Sequence, residues 1–124
     1  MKALSIHQPW ASLIASGRKT LEIRSWRMQH RGPLLICSTA RRYSADLFDG
    51  ERDANYPRSV TVALVDVVDC RPMTPADAEA ACVPYRPGLF AVVLENIRPT
   101  KHIPISGKQQ LYSVPYDAKC LGVG

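Results

Sequence analysis

Val60 to Cys70, VTVALVDVVDC, is the longest apolar run in the chain and its tightest constraint on the fold. Its β-branched residues favour a strand over a helix, because branching at Cβ stiffens the side chain and suits a pleated surface. Strand alternation puts Asp66 on the same face as Val62, Leu64 and Val68. A carboxylate in that row requires a cationic partner or an opening to water.

Shorter elements surround this strand. Lys2–Ile6, Pro33–Ser38 and Leu89–Ile97 read as strands. His102–Ile105 reads as a short one that Pro104 confines to an edge. Pro9 suits the first helical position, Trp10, Leu13 and Ile14 recur on one helical face, and Gly17 suits a left-handed stop. Trp10 is expected to anchor that helix in the core. A second helix is expected to start at Thr74 and Pro75 and to end before Pro84. A third is expected over Ala45–Phe48, capped by Ser44. Asn55-Tyr56-Pro57 reads as a turn, Arg86-Pro87-Gly88-Leu89 suits a type II turn, and the tail from Ser113 is expected to be irregular. Five to six strands with two to three short helices make a strand-dominated α+β fold, a small and partly closed barrel. The 124 residues suit one domain with one core, expected over about residues 2–107.

Hydrophobic residues at 46% and charged residues at 22% favour a folded chain. Cys37, Cys70, Cys82 and Cys120 are far apart and form no CxxC pair, so neither a zinc site nor a redox motif is expected. Reduced thiols then place the chain in the cytoplasm. No basic start with an apolar run behind it marks a signal peptide, and no apolar stretch is long enough to span a membrane. No cofactor motif stands out, and nothing in the pattern specifies an oligomeric state.

Charge is unevenly spread. Through Ser44 the basic residues are Lys2, Arg18, Lys19, Arg24, Arg27, Arg31, Arg41 and Arg42, against Glu22 alone. That surplus exceeds the net +5 of the whole chain, so the remainder is slightly acidic. A lopsided, arginine-rich distribution favours a polyanionic partner.

The stretch from Gly17 to Trp26, GRKTLEIRSW, lies within this basic part. Read as a strand, it sends Leu21, Ile23 and Ser25 to one face and Thr20, Glu22, Arg24 and Trp26 to the other, with Lys19 at the entrance. Neighbours on one face are roughly 7 Å apart, so Glu22 and Arg24 can meet. A polar row on a strand pinned from behind by apolar residues is a candidate site.

Four segments together resemble the activating signal cointegrator homology (ASCH) domain: LSIHQPWA from Leu4, GRKTLEIRSW from Gly17, His30-Arg31-Gly32, and VDVVDC from Val65. The GxKxxExR pattern falls on Gly17, Lys19, Glu22 and Arg24. The HQPW and RSW segments point to the branch found at the end of a eukaryotic transcriptional coactivator. The resemblance runs from Leu4 to about Gly107. It implies a fold similar to the PUA domain, a small mixed β-barrel flanked by helices. It also implies nucleic-acid binding in a cleft lined by the GxKxxExR strand. Some small bacterial members remove the acyl group of N4-acetylcytidine with a lysine, a threonine and a glutamate, and ribonuclease activity is attributed to another.

Three functions remain open on these grounds. In the first, the chain binds RNA or single-stranded DNA. Arg18, Lys19, Arg24, Arg27, Arg31, Arg41 and Arg42 then meet phosphates, Trp26 stacks a base, with Tyr43 as a weaker candidate, and His7, Gln8, His30 and Glu22 offer hydrogen bonds. A nucleotide-like small molecule suits the same groups. In the second, the chain is a hydrolase of a modified nucleoside or of RNA. Lys19 matches the family lysine. The threonine position holds Glu22, which leaves Thr20 as the nearest hydroxyl, and Asp66 stands in for the glutamate. Working as a base at pH 7 requires the Lys19 pKa to fall about three units, while a Glu22 neighbour pulls the other way. Lys19 is therefore expected as an ion-paired contact. In RNA cleavage His7 or His30 can act near neutrality. In the third, the basic face docks an acidic protein.

Overall fold

The computed structural model describes residues 1–41 and 56–123. The expected Ala45–Phe48 helix, with Ser44, Tyr43 and Arg42, lies outside the described residues.

Six strands form a single sheet. They are β1 (Lys2–Ile6), β2 (Leu21–Arg24), β3 (Gly32–Ser38), β4 (Thr61–Pro72), β5 (Phe90–Pro99) and β6 (Leu111–Ser113). Helix α1 spans Trp10–Ala15, and a 3-10 turn over Pro75–Asp77 leads into the one-turn helix α2, Ala78–Ala81. The strand order is β2-β5-β4-β3-β1-β6. β1 and β3 run parallel and every other pair is antiparallel. The β-branched run lies in β4, flanked by β3 and β5, and residues 61–65 are all buried.

The sheet curls into a half-barrel. Register shifts at Ile36/Cys37, Leu64/Asp66 and Val67/Asp69 mark irregularities of the kind that bend and twist strands. α1 packs against β3, β4 and β5. The main core joins Ala11 and Ile14 of α1 to Leu4, Ile6, Leu34, Ile36, Val62, Val65, Val67, Val92 and Leu94. The shift between Leu64 and Asp66 corrects the simple alternation along β4. Val62 and Val65 both face this core, so the side-chain phase changes between them and Asp66 does not share the Val62 face.

The other side of the sheet carries two smaller clusters. Leu21, Met73, Ala81 and Ala91 pack beneath α2. Ala3, Leu35, Cys37, Tyr112 and Leu121 pack beneath the tail. Strand β6 was not expected from the sequence, and neither was the burial of Leu121, which is fully inside. His102–Ile105 forms no strand; Pro104 makes an isolated bridge to Val60. The Thr74 start is a capping box: Asp77 Oδ2 accepts from the Thr74 amide at 2.8 Å and meets the Arg71 guanidinium at 2.7 Å. Gly88 has φ +82°, as the expected type II turn requires.

Candidate functional site

The site forms where the half-barrel fails to close. β6 pairs with β1 only as far as Leu4, which leaves the backbone beyond it open on that edge. There Arg24, at the end of edge strand β2, donates from Nη2 to the Ser5 carbonyl oxygen at 3.3 Å. β2 and β1 thus meet through a side chain instead of a ladder. A cavity of about 270 Å³ lies at this seam, walled by Ser5, His7, Trp10, Lys19, Glu22 and Arg24, with Val83 beyond them.

Local geometry delivers Lys19 to this cavity. Gly17, at φ +83°, turns the chain out of α1, and the amides of Arg18 and Lys19 both donate to the Leu13 carbonyl at 3.0 Å. Lys19 is 1% exposed and Glu22 7%. Lys19 Nζ donates to the Ala81 carbonyl at 2.5 Å and lies 3.5 Å from Glu22 Oε1. Glu22 Oε2 accepts from Arg24 Nε and Nη2, each at 2.9 Å. Two cations therefore share one carboxylate in a largely dry setting. Burial pushes the Lys19 ammonium below the usual lysine pKa, and the Glu22 charge opposes it without cancelling it. The ion pair exists, but desolvation is the larger effect.

His7 lies at one side of the cavity. Its Nδ1 shares a hydrogen bond with Thr39 Oγ1 at 2.7 Å. Partial burial lowers its pKa, Arg41 and Arg24 lower it further, and Glu22 works in the other direction.

The remaining candidates divide. Gln8 is buried and committed to the fold: its Oε1 accepts from the Ser12 amide at 3.0 Å, and its Nε2 donates to Ser12 Oγ and the Pro57 carbonyl. It caps α1 and is not placed to read a base edge. Trp26 requires a correction too. β2 stops at Arg24, and the Trp26 ring packs on the main core. Trp10 also packs there, as expected, but it walls the cavity as well. Arg18 and Thr20 lie beyond Trp10 in a separate groove of about 960 Å³ that also contains Glu79. Thr20 therefore does not line the cavity that Lys19 walls. Asp66 is elsewhere, held by Arg98 Nη2 and Asn96 Nδ2, each at 3.0 Å.

Arg27 donates to the Cys70 carbonyl and stacks on the Phe90 ring at 4.9 Å. Arg31 donates to the carbonyls of Met28 and His30, and His30 Nε2 donates to the Pro33 carbonyl at 2.7 Å. Arg31 also lies 4.0 Å from Asp69 Oδ1, and none of these three lines the cavity. Arg41 is exposed on the His7 side.

Nothing in the sequence marks Ser5 or Val83 as wall residues, because only the curl of the sheet brings them to β2. All four cysteines are free thiols. Among the described residues, no group of three or more His, Cys, Asp or Glu side chains could hold a metal, and no helix is long and apolar enough to cross a membrane.

Comparison with known proteins agrees with this architecture. Activating signal cointegrator 1 of Homo sapiens is 39% identical over 80 residues, which cover 54% of this chain and 14% of that protein. The protein of the same name from Mus musculus matches to the same extent. The chain thus spans only a small part of these relatives. The crystal structure of ASCH from Zymomonas mobilis superimposes with a TM-score of 0.68 at 14% identity, covering 91% of this chain and 86% of that one. A mutant form of it gives 0.63 at 13% identity, covering 91% and 88%. At such identities the likeness shows the fold alone. The ASCH domain model matches residues 4–113, and with nearly the whole sheet inside that match, the chain belongs to the ASCH domain family.

Proposed function

We propose that the chain binds single-stranded nucleic acid, with one base or nucleotide-like group in the seam cavity. One observation carries this reading: a buried lysine and a partly buried arginine share a single carboxylate at the wall of a small open cavity. The cavity is smaller than the roughly 300–1,000 Å³ of pockets that take drug-sized ligands, so it suits one heterocycle and not a base pair. Glu22 offers acceptor oxygens to an exocyclic amine, Lys19 and Arg24 offer donors, and Trp10 supplies an aromatic wall. Arg18 and Arg41 flank the cavity and can meet phosphates; Arg27, Arg31 and His30, outside it, can extend the contact. RNA and single-stranded DNA both fit, as does a nucleotide-like small molecule.

The test is a titration of labelled single-stranded RNA and DNA at two salt concentrations. Binding is expected to weaken linearly in log salt, by about 0.7 in slope per phosphate contacted. Arg24→Ala is expected to weaken it at least about tenfold, the scale of one charge-assisted hydrogen bond. No binding at low salt, or an unchanged affinity in that variant, would reject the reading.

The lowered pKa of Lys19 favours a second reading, a hydrolase acting on an N4-acylated cytidine or on RNA. Against it, Thr20 lies outside the cavity and Asp66 is paired elsewhere. Incubation with N4-acetylcytidine and with RNA, followed by mass spectrometry, separates the two. Turnover lost in Lys19→Ala would make the hydrolase the better account.

A further inference from the structure

We propose that a second groove next to the seam holds the sugar-phosphate of a neighbouring nucleotide, so that the ligand is an oligonucleotide and not a free nucleoside. This rests on the nucleic-acid reading above. The groove has a volume of about 540 Å³ and runs between Thr39–Ala40 and the 105–109 turn. It adjoins the seam cavity. Ser5 walls both, and His7 of the seam is hydrogen-bonded to Thr39 of the groove.

The groove's chemistry suits a sugar-phosphate backbone. It presents Ser59, Ser106, Gln109 and Lys108, and among the described residues no acidic one lines it. Lys108 is exposed and has no acidic partner among the described residues. The Arg58 guanidinium lies at one side, donating to the Ala40 carbonyl at 3.2 Å, and Arg41 follows Ala40 in the chain. The opposite groove shares Trp10 and Val83 with the seam, but it is lined by Arg18 together with Glu79 and so has no excess of positive charge among the described residues. Phosphates leaving the seam are therefore drawn toward Lys108.

The junction is closely built. A Cβ on Gly107 would stand 2.4 Å from Ser5 Oγ, and that hydroxyl is held by Tyr112 Oη at 2.6 Å. Only glycine lets the 105–109 turn press onto Ser5 without displacing it.

The experiment measures the affinity of uridine oligonucleotides of one, two, three and six residues at fixed ionic strength. The proteins are wild type, Lys108→Ala, Arg24→Ala and Lys119→Ala. Lys119 lines none of the three cavities, so its variant controls for net charge. Affinity is expected to rise about tenfold or more from one residue to two or three. Lys108→Ala is expected to abolish most of that rise, keep mononucleotide affinity within about twofold, and reduce the salt slope by about 0.7. Lys119→Ala is expected to change none of these by more than about twofold. The proposal is overturned if length brings no gain, or if Lys108→Ala behaves like Lys119→Ala while Arg24→Ala still abolishes binding. No binding at any length would overturn the nucleic-acid reading itself and this proposal with it.

Discussion

Glu22 and Asp66 are both strand carboxylates near arginine, yet their settings differ in kind. Asp66 is matched one to one by Arg98, with Asn96 completing its hydrogen bonds, and about a third of its side chain is exposed. Glu22 is nearly dry and faces two cations, Lys19 and Arg24. The first arrangement is electrically complete. The second leaves positive charge beside an open cavity, where little water can solvate it. An anion, or the electron-rich edge of a base, would relieve that excess. Ion pairing alone therefore does not mark a site; an imbalance next to a cavity does.

The largest consequence concerns stability. Glu22→Ala leaves Lys19 buried without its counter-charge and is expected to lower the unfolding free energy by about 3–5 kcal/mol. Asp66→Ala is expected to lower it by at most about 1 kcal/mol, the scale of a pair open to water. Denaturant unfolding of both measures the gap, and equal losses would erase the distinction drawn above.

Next comes Asp77, a carboxylate that belongs with Asp66 in this scheme. Arg71, foremost, and the Thr74 amide hold its carboxyl well below the usual carboxylate range. Asp77→Ala is expected to cost about 1–3 kcal/mol at pH 7 with nucleic-acid affinity unchanged. Its folded pKa is depressed, so the stabilisation is present above the unfolded value near 3.8 and is lost as pH falls through the folded one. The difference between wild type and variant should therefore narrow below about pH 4.

A smaller effect separates the two arginines. Arg24→Lys keeps the charge but loses the fork that spans Glu22 and Ser5. It is expected to reduce RNA affinity several-fold while costing about 1 kcal/mol or less of stability. The same change at Arg98 should leave affinity unaltered.

The smallest is spectroscopic. The His7 imidazole should titrate below 6.5 by NMR. Arg41→Ala removes a repulsive charge and should raise that midpoint, whereas Glu22→Gln should lower it. Because unfolding restores the ordinary value, His7 reduces stability only as pH falls below about 6.5. A midpoint that ignores both changes would detach His7 from the cluster.

The strands were legible because their signals are local. Thr61–Cys70 is rich in β-branched residues, Leu21 and Ile23 alternate with Glu22 and Arg24, and Gly17 and Gly88 sit where a positive φ is needed. The three-residue β6 was not legible, since it exists only because β1 offers it an edge. Leu121 and Tyr112 likewise join the core through long-range packing. Within the candidate site, Lys19, Glu22 and Arg24 could be read from their spacing on one short strand. Gln8 and Trp26 could not be placed from the sequence, because their residue types suit a ligand as well as they suit a helix start and a core. Asp66 was misplaced because a register shift cannot be seen in an alternating pattern.

The chain's order of residues settled which side chains would share the β2 face and how much positive charge would surround them, because strand periodicity and composition are properties of neighbours in sequence. Which of those charges became dry, and whether they met a cavity, depended on the curl that brings β2 up to β1 without closing the barrel. Burial and cavity shape arise from residues distant in the chain, such as Ser5, Ala81, Val83 and Lys108, and no local pattern encodes their meeting.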